Sequence, residues 1–125
     1  MAEHPNATLI RRALDSLGSG DMQGIADALS DDVVWHEIGS PEPVHGKAAL
    51  AARMGDAGAD FTITASTHDV VANDEHAIAL VNATATRGGR TLDYRTAEIF
   101  HIRDGRVVER WAFSDDTAAI TAFFA

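Results

Sequence analysis

From Phe61 to Phe113 the chain alternates almost without pause, and three short turn signals are all that interrupt it. Asn73-Asp74-Glu75, Gly88-Gly89 and Asp104-Gly105 separate the segments Phe61 to Ala72, Ala77 to Arg87, Arg90 to Arg103 and Val107 to Phe113. Gly-Gly and Asp-Gly supply the positive φ that tight hairpin turns require, while the segments between them carry Val, Ile and Thr at a period of two. Strands joined by connections this short run antiparallel, because a parallel pair needs a crossover of a dozen residues or more. This half of the chain is therefore committed to a meander of long strands.

The residues before the meander read differently. Asn6 is a candidate N-cap, Leu9, Ile10, Ala13, Leu14 and Leu17 follow at helical spacing, and Gly18 stands just past the predicted end. Asp21 caps a second predicted helix with Met22, Ile25, Ala26 and Leu29 on one face, closed by Ser30-Asp31-Asp32. Ala48, Leu50, Ala51 and Met54 predict a third helix that stops near Gly55 or Gly58, and Asp115 or Asp116 caps a short closing helix bearing Ile120, Phe123 and Phe124. Three helices, one early strand and a run of hairpins predict an α+β fold: a cone, with three N-terminal helices packed on a strongly curved, mostly antiparallel sheet that encloses a pocket.

With 125 residues the chain suits one domain, 1–125, large enough to bury a substantial core. Nineteen acidic against ten basic side chains give a formal charge of -9, which argues against a phosphate backbone as partner. Only Arg11-Arg12 are adjacent basic residues and no apolar run approaches a membrane span, so neither nucleic acid nor membrane is expected, and the protein reads as soluble and cytoplasmic. The absence of cysteine removes disulfides, thiolate metal sites and a cysteine nucleophile. No Gly-rich phosphate loop and no GxSxG elbow occurs, so nucleotide handling and the usual serine hydrolases drop out.

The early strand carries the chemistry. In Asp31-Asp32-Val33-Val34-Trp35-His36-Glu37-Ile38-Gly39, period two places Glu37 on the side of Val33 and Trp35, and His36 on the other. A Glu beside a Trp at a strand end is a candidate desolvated carboxylate, useful as a base near neutral pH. A strand-end Glu that faces water or pairs with an arginine is the plainer alternative. His36, Glu37 and His45 invite a metal test, but adjacent strand residues point to opposite faces and no helical His pair exists, so no metal and no cofactor is expected. His45, before a predicted helix start, is a candidate to steer a substrate anion or hold a water. On the long strand, Leu92, Tyr94, Thr96, Glu98, Phe100 and Ile102 form the more apolar side, which turns Tyr94, Thr96 and Glu98 inward with Arg110 on the next strand as partner to Glu98. The last strand is ambiguous: hydrophobicity turns Val107, Trp111 and Phe113 inward.

This order of elements, with Gly20-Asp21, the Asp31 to Glu37 segment, Pro43-Val44-His45-Gly46 and Phe100 to Gly105 before the last strand, resembles the nuclear transport factor 2-like superfamily, in its SnoaL-like and ketosteroid-isomerase-like branch. The resemblance runs from about Ala7 to Phe124. It implies that Glu37 stands where ketosteroid isomerases keep the aspartate that shuttles a proton at carbon. The oxyanion-holding tyrosine of those enzymes would fall at Ala13, and its neutral acid partner near Thr96, so steroid isomerisation proper is not expected. The last acid of the limonene-epoxide-hydrolase set would fall at Ala112, which leaves the SnoaL-like polyketide cyclases as the nearest enzymatic pattern. The family register also turns Arg110, Ala112 and Ser114 inward and makes Trp111 an interface residue of a homodimer.

These observations predict a pocket protein for a small apolar or carbonyl-containing ligand. As an enzyme it would be an isomerase, cyclase or hydratase, with Glu37 as proton shuttle and Trp35, His45, Tyr94, Thr96 and Arg110 around the ligand. A non-catalytic binding or accessory module with the same cavity is the alternative, favoured by the missing oxyanion donors.

Overall fold

The computed structural model describes residues 3–57 and 60–125. Helices α1 (Pro5–Ser19) and α2 (Met22–Ala28) lead into strand β1 (Leu29–Trp35). The short strand β2 (Val44–His45) and helix α3 (Lys47–Ala57) follow, and then come the long strands β3 (Thr62–Ala72), β4 (His76–Arg87), β5 (Arg90–Arg103) and β6 (Arg106–Ser114). Helix α4 (Thr117–Phe124) closes the chain. The six strands form one curved, open sheet in the order β2-β1-β6-β5-β4-β3. All neighbours are antiparallel except β1 and β6, which run parallel, so the early strand enters the sheet alongside the last one.

Local chemistry accounts for the element ends. Pro5 occupies the first turn of α1, where its missing N–H costs nothing. The cap consequently falls one residue before it, on His4, whose Nδ1 accepts from the Asn6 amide at 3.1 Å. Asn6, expected as the cap, instead donates its side-chain amide to the carbonyls of Asn73 and Asp74, tying α1 to the β3–β4 turn. The helix runs past Gly18 to a left-handed Gly20 with φ 77°, and the amide of Asp21 closes on the Ser16 carbonyl at 2.8 Å. Asp21 and Asp116 cap α2 and α4 as the sequence predicts, accepting from the amides of Gly24 and Ala119. Ser30-Asp31-Asp32 belong to β1 instead of closing α2, because the chain turns extended already at Leu29.

The inner face of the sheet is built on small residues. Ala77, Ala79, Val81, Ala83 and Ala85 alternate inward along β4 and are buried, which lets α1 lie against β3 and β4 through Ala7 and Ile10. Val33, Val70, Phe100, Ile102 and Val107 complete this core with Ile25, Leu29 and Leu50 from the surrounding elements.

A bulge settles the ambiguous last strand. His101 pairs with Glu109 but Ile102 pairs with Val107, so Val108 is an extra residue on β6. Val107 points inward and is 1% exposed; beyond the bulge the parity flips, and Arg110 pairs with inward-facing Phe100 while Trp111 pairs with outward-facing Ile99. Neither simple alternation holds for the whole strand. Hydrophobicity is right for Val107 and the family register for Arg110.

Ile10, fully excluded from solvent, is the largest side chain that α1 buries against the sheet. Ile10→Ala should lower the unfolding free energy by about 2–5 kcal/mol in urea denaturation, and a loss under about 1 kcal/mol would contradict this docking.

Candidate functional site

Beyond Trp35 the chain leaves the sheet by a turn that exposes Glu37 to the interior. The His36 amide still donates to the Arg110 carbonyl at 2.9 Å, and the Ser40 amide closes on the Glu37 carbonyl at 3.2 Å. Gly39 sits in this turn at φ 78°, and a Cβ there would come within 2.5 Å of the Thr121 hydroxyl oxygen. Only glycine meets both conditions, so this position lets the turn close against α4.

Between the turn, the sheet and α4 lies a cavity of about 630 Å³, within the range of small-molecule sites. Phe61, Ile63, Ile120 and Phe124 give it apolar walls, and Glu37, Arg53, Tyr94 and Arg110 bring polar groups to it. The rings of Phe61 and Phe124 pack edge to face at 4.8 Å, which braces α4 against the start of β3.

Two carboxylates in this region are held by two arginines. Arg110 donates to Oε1 of Glu98 from Nη2 at 2.7 Å and from Nε at 3.3 Å, with both side chains only 12% exposed. Its Nη1 donates to the His36 carbonyl at 2.9 Å, and its guanidinium lies 4.4 Å over the Trp35 ring. A nearly buried ion pair is tolerated when its remaining donors are satisfied this way. Glu37 is paired differently. Arg53 of α3 grips both its oxygens, Nε to Oε1 at 3.0 Å and Nη2 to Oε2 at 3.2 Å, and Arg53 is 59% exposed against 29% for Glu37.

The expected site residues separate accordingly. Glu37, Tyr94 and Arg110 line one cavity. Trp35 stacks under Arg110 and packs on the core, so the neighbour that sets the Glu37 environment is the Arg53 guanidinium and not the indole. Thr96 is buried behind the wall, with its hydroxyl 3.5 Å from Glu98. His45 is exposed on β2 opposite Val34, away from the cavity lining. His36 stacks on Trp111 on the outer face, with centroids 4.9 Å apart, and its Nε2 meets Glu109 at 2.7 Å, which places it on the other side of the sheet from Glu37. Arg53 and Arg87 were not anticipated: one sits on a helix with no local signal for its partner, the other at a hairpin end. Ala112 stands opposite Glu98, so an acid is absent where the epoxide-hydrolase pattern would need one.

Tyr94 is the chemically available donor. Its hydroxyl has no hydrogen-bond partner among the described residues, although the ring is half-buried in the cavity wall. Burial pushes the phenol above its ordinary value of 10, the Glu98 charge adds to the rise, and Arg110 opposes it.

Comparison with known proteins agrees with this architecture. The SnoaL-like domain profile matches residues 10–110. The uncharacterized protein Rv0034 of Mycobacterium tuberculosis is 31% identical over an alignment of 138 positions that spans all of both chains. An NTF2-like protein of unknown function from Burkholderia pseudomallei superposes with a TM-score of 0.86 at 18% identity, covering 98% of each chain. An LEH-like epoxide hydrolase of M. tuberculosis superposes with a TM-score of 0.79 at 16% identity, over 94% of this chain and 87% of the other. At such identities the two structural likenesses speak to the fold. The chain belongs to the SnoaL-like domain family, and its fold is that of NTF2-like proteins.

Because Tyr94 is the only tyrosine, phenolate absorbance reports it alone. It should titrate above 10 in the folded protein. A phenol raised in the native state contributes a constant amount to stability below its unfolded value, and that contribution is lost as pH climbs from there through the folded value. A midpoint at or below 10 would contradict the half-buried position.

Proposed function

We propose that this protein binds a small, largely apolar molecule bearing a carbonyl or enol oxygen in the cavity beside Glu37, and moves a proton on it. The observation that supports the reading is the convergence of a carboxylate, Glu37, and an unpartnered phenol, Tyr94, on an apolar-walled cavity of about 630 Å³. In this scheme Glu37 takes a proton from a carbon next to the carbonyl and returns it elsewhere on the same framework, while Tyr94 donates a hydrogen bond to the oxygen on which charge develops. Isomerisation fits such an exchange, as does an aldol-type cyclisation in which the deprotonated carbon attacks a second carbonyl whose oxygen receives the proton; in a hydration Glu37 would instead take the proton from the water that adds to the substrate. Arg53 must first release at least one oxygen of Glu37, and its exposure leaves it free to swing away.

A second reading has an observation of its own. With both oxygens gripped by Arg53, the Glu37 charge is balanced at the cavity wall, as suits a wall that binds an apolar ligand without chemistry. Deuterium exchange at the acidic carbon of a cyclic β-diketone, followed by NMR, separates the two. For a proton shuttle, Glu37→Gln should slow protein-catalysed exchange by about a hundredfold or more with the melting temperature preserved. Exchange equal in wild type and variant, with probe binding intact, would leave the binding module.

We further propose that the protein works as a homodimer through the outer face of the sheet. Pairing places Ile78 beside Ile99, Leu80 beside Ala97, and Ala97 and Ile99 beside Phe113 and Trp111, an apolar patch in which Leu80 is 41% and Phe113 58% exposed. Exposed apolar side chains side by side on an open sheet face suit an isologous contact between two copies. Light scattering at micromolar concentration should report twice the 13.3 kDa chain mass, and Phe113→Glu should return it to the monomer. A wild-type monomer would contradict the proposal.

A further inference from the structure

We infer that acid separates the two copies of the homodimer, with the imidazole of His101 as the group that takes the proton; this rests on the homodimer reading above. A row of rings crosses the outer face of the sheet beside the apolar patch. His76 of β4 meets His101 of β5 edge-on with centroids 4.6 Å apart, His101 meets Trp111 of β6 at 4.7 Å, and Trp111 carries His36 stacked on it at 4.9 Å. Period two puts His76 on the same side as Ile78 and His101 on the same side as Ile99. A copy that covers Ile99 and Trp111 therefore covers His101 with them.

The three imidazoles differ in what awaits a proton. His36 has the Glu109 carboxylate 2.7 Å from Nε2, so a proton there completes an ion pair. Nδ1 of His76 lies 3.3 Å from the side-chain oxygen of Asn73. His101 makes no side-chain hydrogen bond and no ion pair among the described residues, and its ring contacts are His76 on one side and Trp111 on the other. None of the charged groups set around it is an ion-pair partner. Glu109, opposite it in register on β6, is engaged by His36; Arg103 on its own strand and a protonated His76 are of like sign; Asp74 and Glu75 in the β3–β4 turn are exposed, and Asp74 pairs with His4. In a single copy, water solvates an imidazolium at this half-buried position. Under a partner that water is gone, the charge has no acceptor, and burial favours the neutral ring. Contact with Trp111 is present in both states and drops out of the difference. Acid therefore favours the separate copies.

The charge of the whole chain acts in the other direction. It is -9 at pH 7 with an isoelectric point near 4.9, so acidification lessens the repulsion between two copies and by itself tightens their association. Loss of the dimer on acidification has the opposite sign and singles out a local group. The same charge favours a second copy as the occupant of this face. Across His76 to Leu80, Ala97 to His101 and Glu109 to Phe113 the outward residues include one carboxylate, that of Glu109 held against His36. Here two copies of so acidic a chain approach with little of their charge opposed.

Sedimentation equilibrium at about pH 7.5 and pH 5.5, on either side of the range in which imidazole takes its proton, tests the switch at constant ionic strength. The wild-type dimer should weaken about tenfold or more at the lower pH, with its circular dichroism unchanged. His101→Phe keeps a ring against Trp111 and removes the proton site, so its dimer should not weaken at the lower pH. If that variant does not fold, His101→Gln decides by the same criterion. A wild-type dimer that is equally strong or stronger at the lower pH overturns the inference and spares the homodimer. Equal weakening in wild type and variant overturns it as well, and so does weakening that accompanies unfolding. A wild-type monomer at both pH values rejects the homodimer itself and the switch with it.

Discussion

The Arg110–Glu98 pair is the contact on which the interior depends. It joins β5 to β6 through the ion pair, reaches β1 through the His36 carbonyl, and carries Trp35 on its other face. Taking two charges out of water costs several kcal/mol per ion, roughly, before their attraction is counted. The site offsets that cost by giving the guanidinium a carboxylate, a carbonyl and an aromatic face at once, and by placing Thr96 at the second carboxylate oxygen. Removing one partner would leave the other charge stranded in the wall. This cluster holds the parallel seam between β1 and β6 together at the point where the sheet bends and Glu37 turns inward.

The cavity follows from that bend and from what is absent along β4. Alanines at 77, 79, 83 and 85 occupy little of the concave side, so α1 can settle against one end of the sheet while the other end stays open. The glycine at 39 lets the turn after Glu37 close upon α4, and the Phe61–Phe124 contact fixes α4 from the opposite side. A cavity bounded by side chains and one short helix can change its lining while the framework stays the same. This is the physical basis on which one cone-shaped fold accommodates ligands of different chemistry.

Charge inside this cavity is largely internally balanced. Glu37 and Glu98 each have an arginine, and the two pairs differ in exposure, one nearly buried and the other at the rim. The buried pair ties strands together inside the sheet, whereas the rim pair reaches across from α3 at the solvent side. Tyr94 lines the same cavity, near Glu98 and Arg110, and its hydroxyl has no hydrogen-bond partner among the described residues.

Short-range chemistry made much of this legible in the sequence. Turn signals at Gly88-Gly89 and Asp104-Gly105, caps at Asp21 and Asp116, and period-two alternation each depend on residues a few positions apart, and they recover the meander, the helices and the inward side of Tyr94 and Glu98. Even the Glu98–Arg110 pair could be named, because adjacent hairpin strands must place those rows side by side. Other features depend on register and on groups distant along the chain. The extra residue at Val108 flips the parity of β6 midway, and an apolar pattern on both faces gives no warning of it. Arg53 comes to Glu37 across a loop and a helix whose packing no local pattern encodes, and Trp35 turns to Arg110 in preference to the carboxylate two residues away. Sequence alone thus determined which groups face inward along regular strands, since backbone geometry fixes that residue by residue. Which acid meets which arginine was decided by the tertiary structure, since a long charged side chain takes its partner from whatever the fold brings within reach.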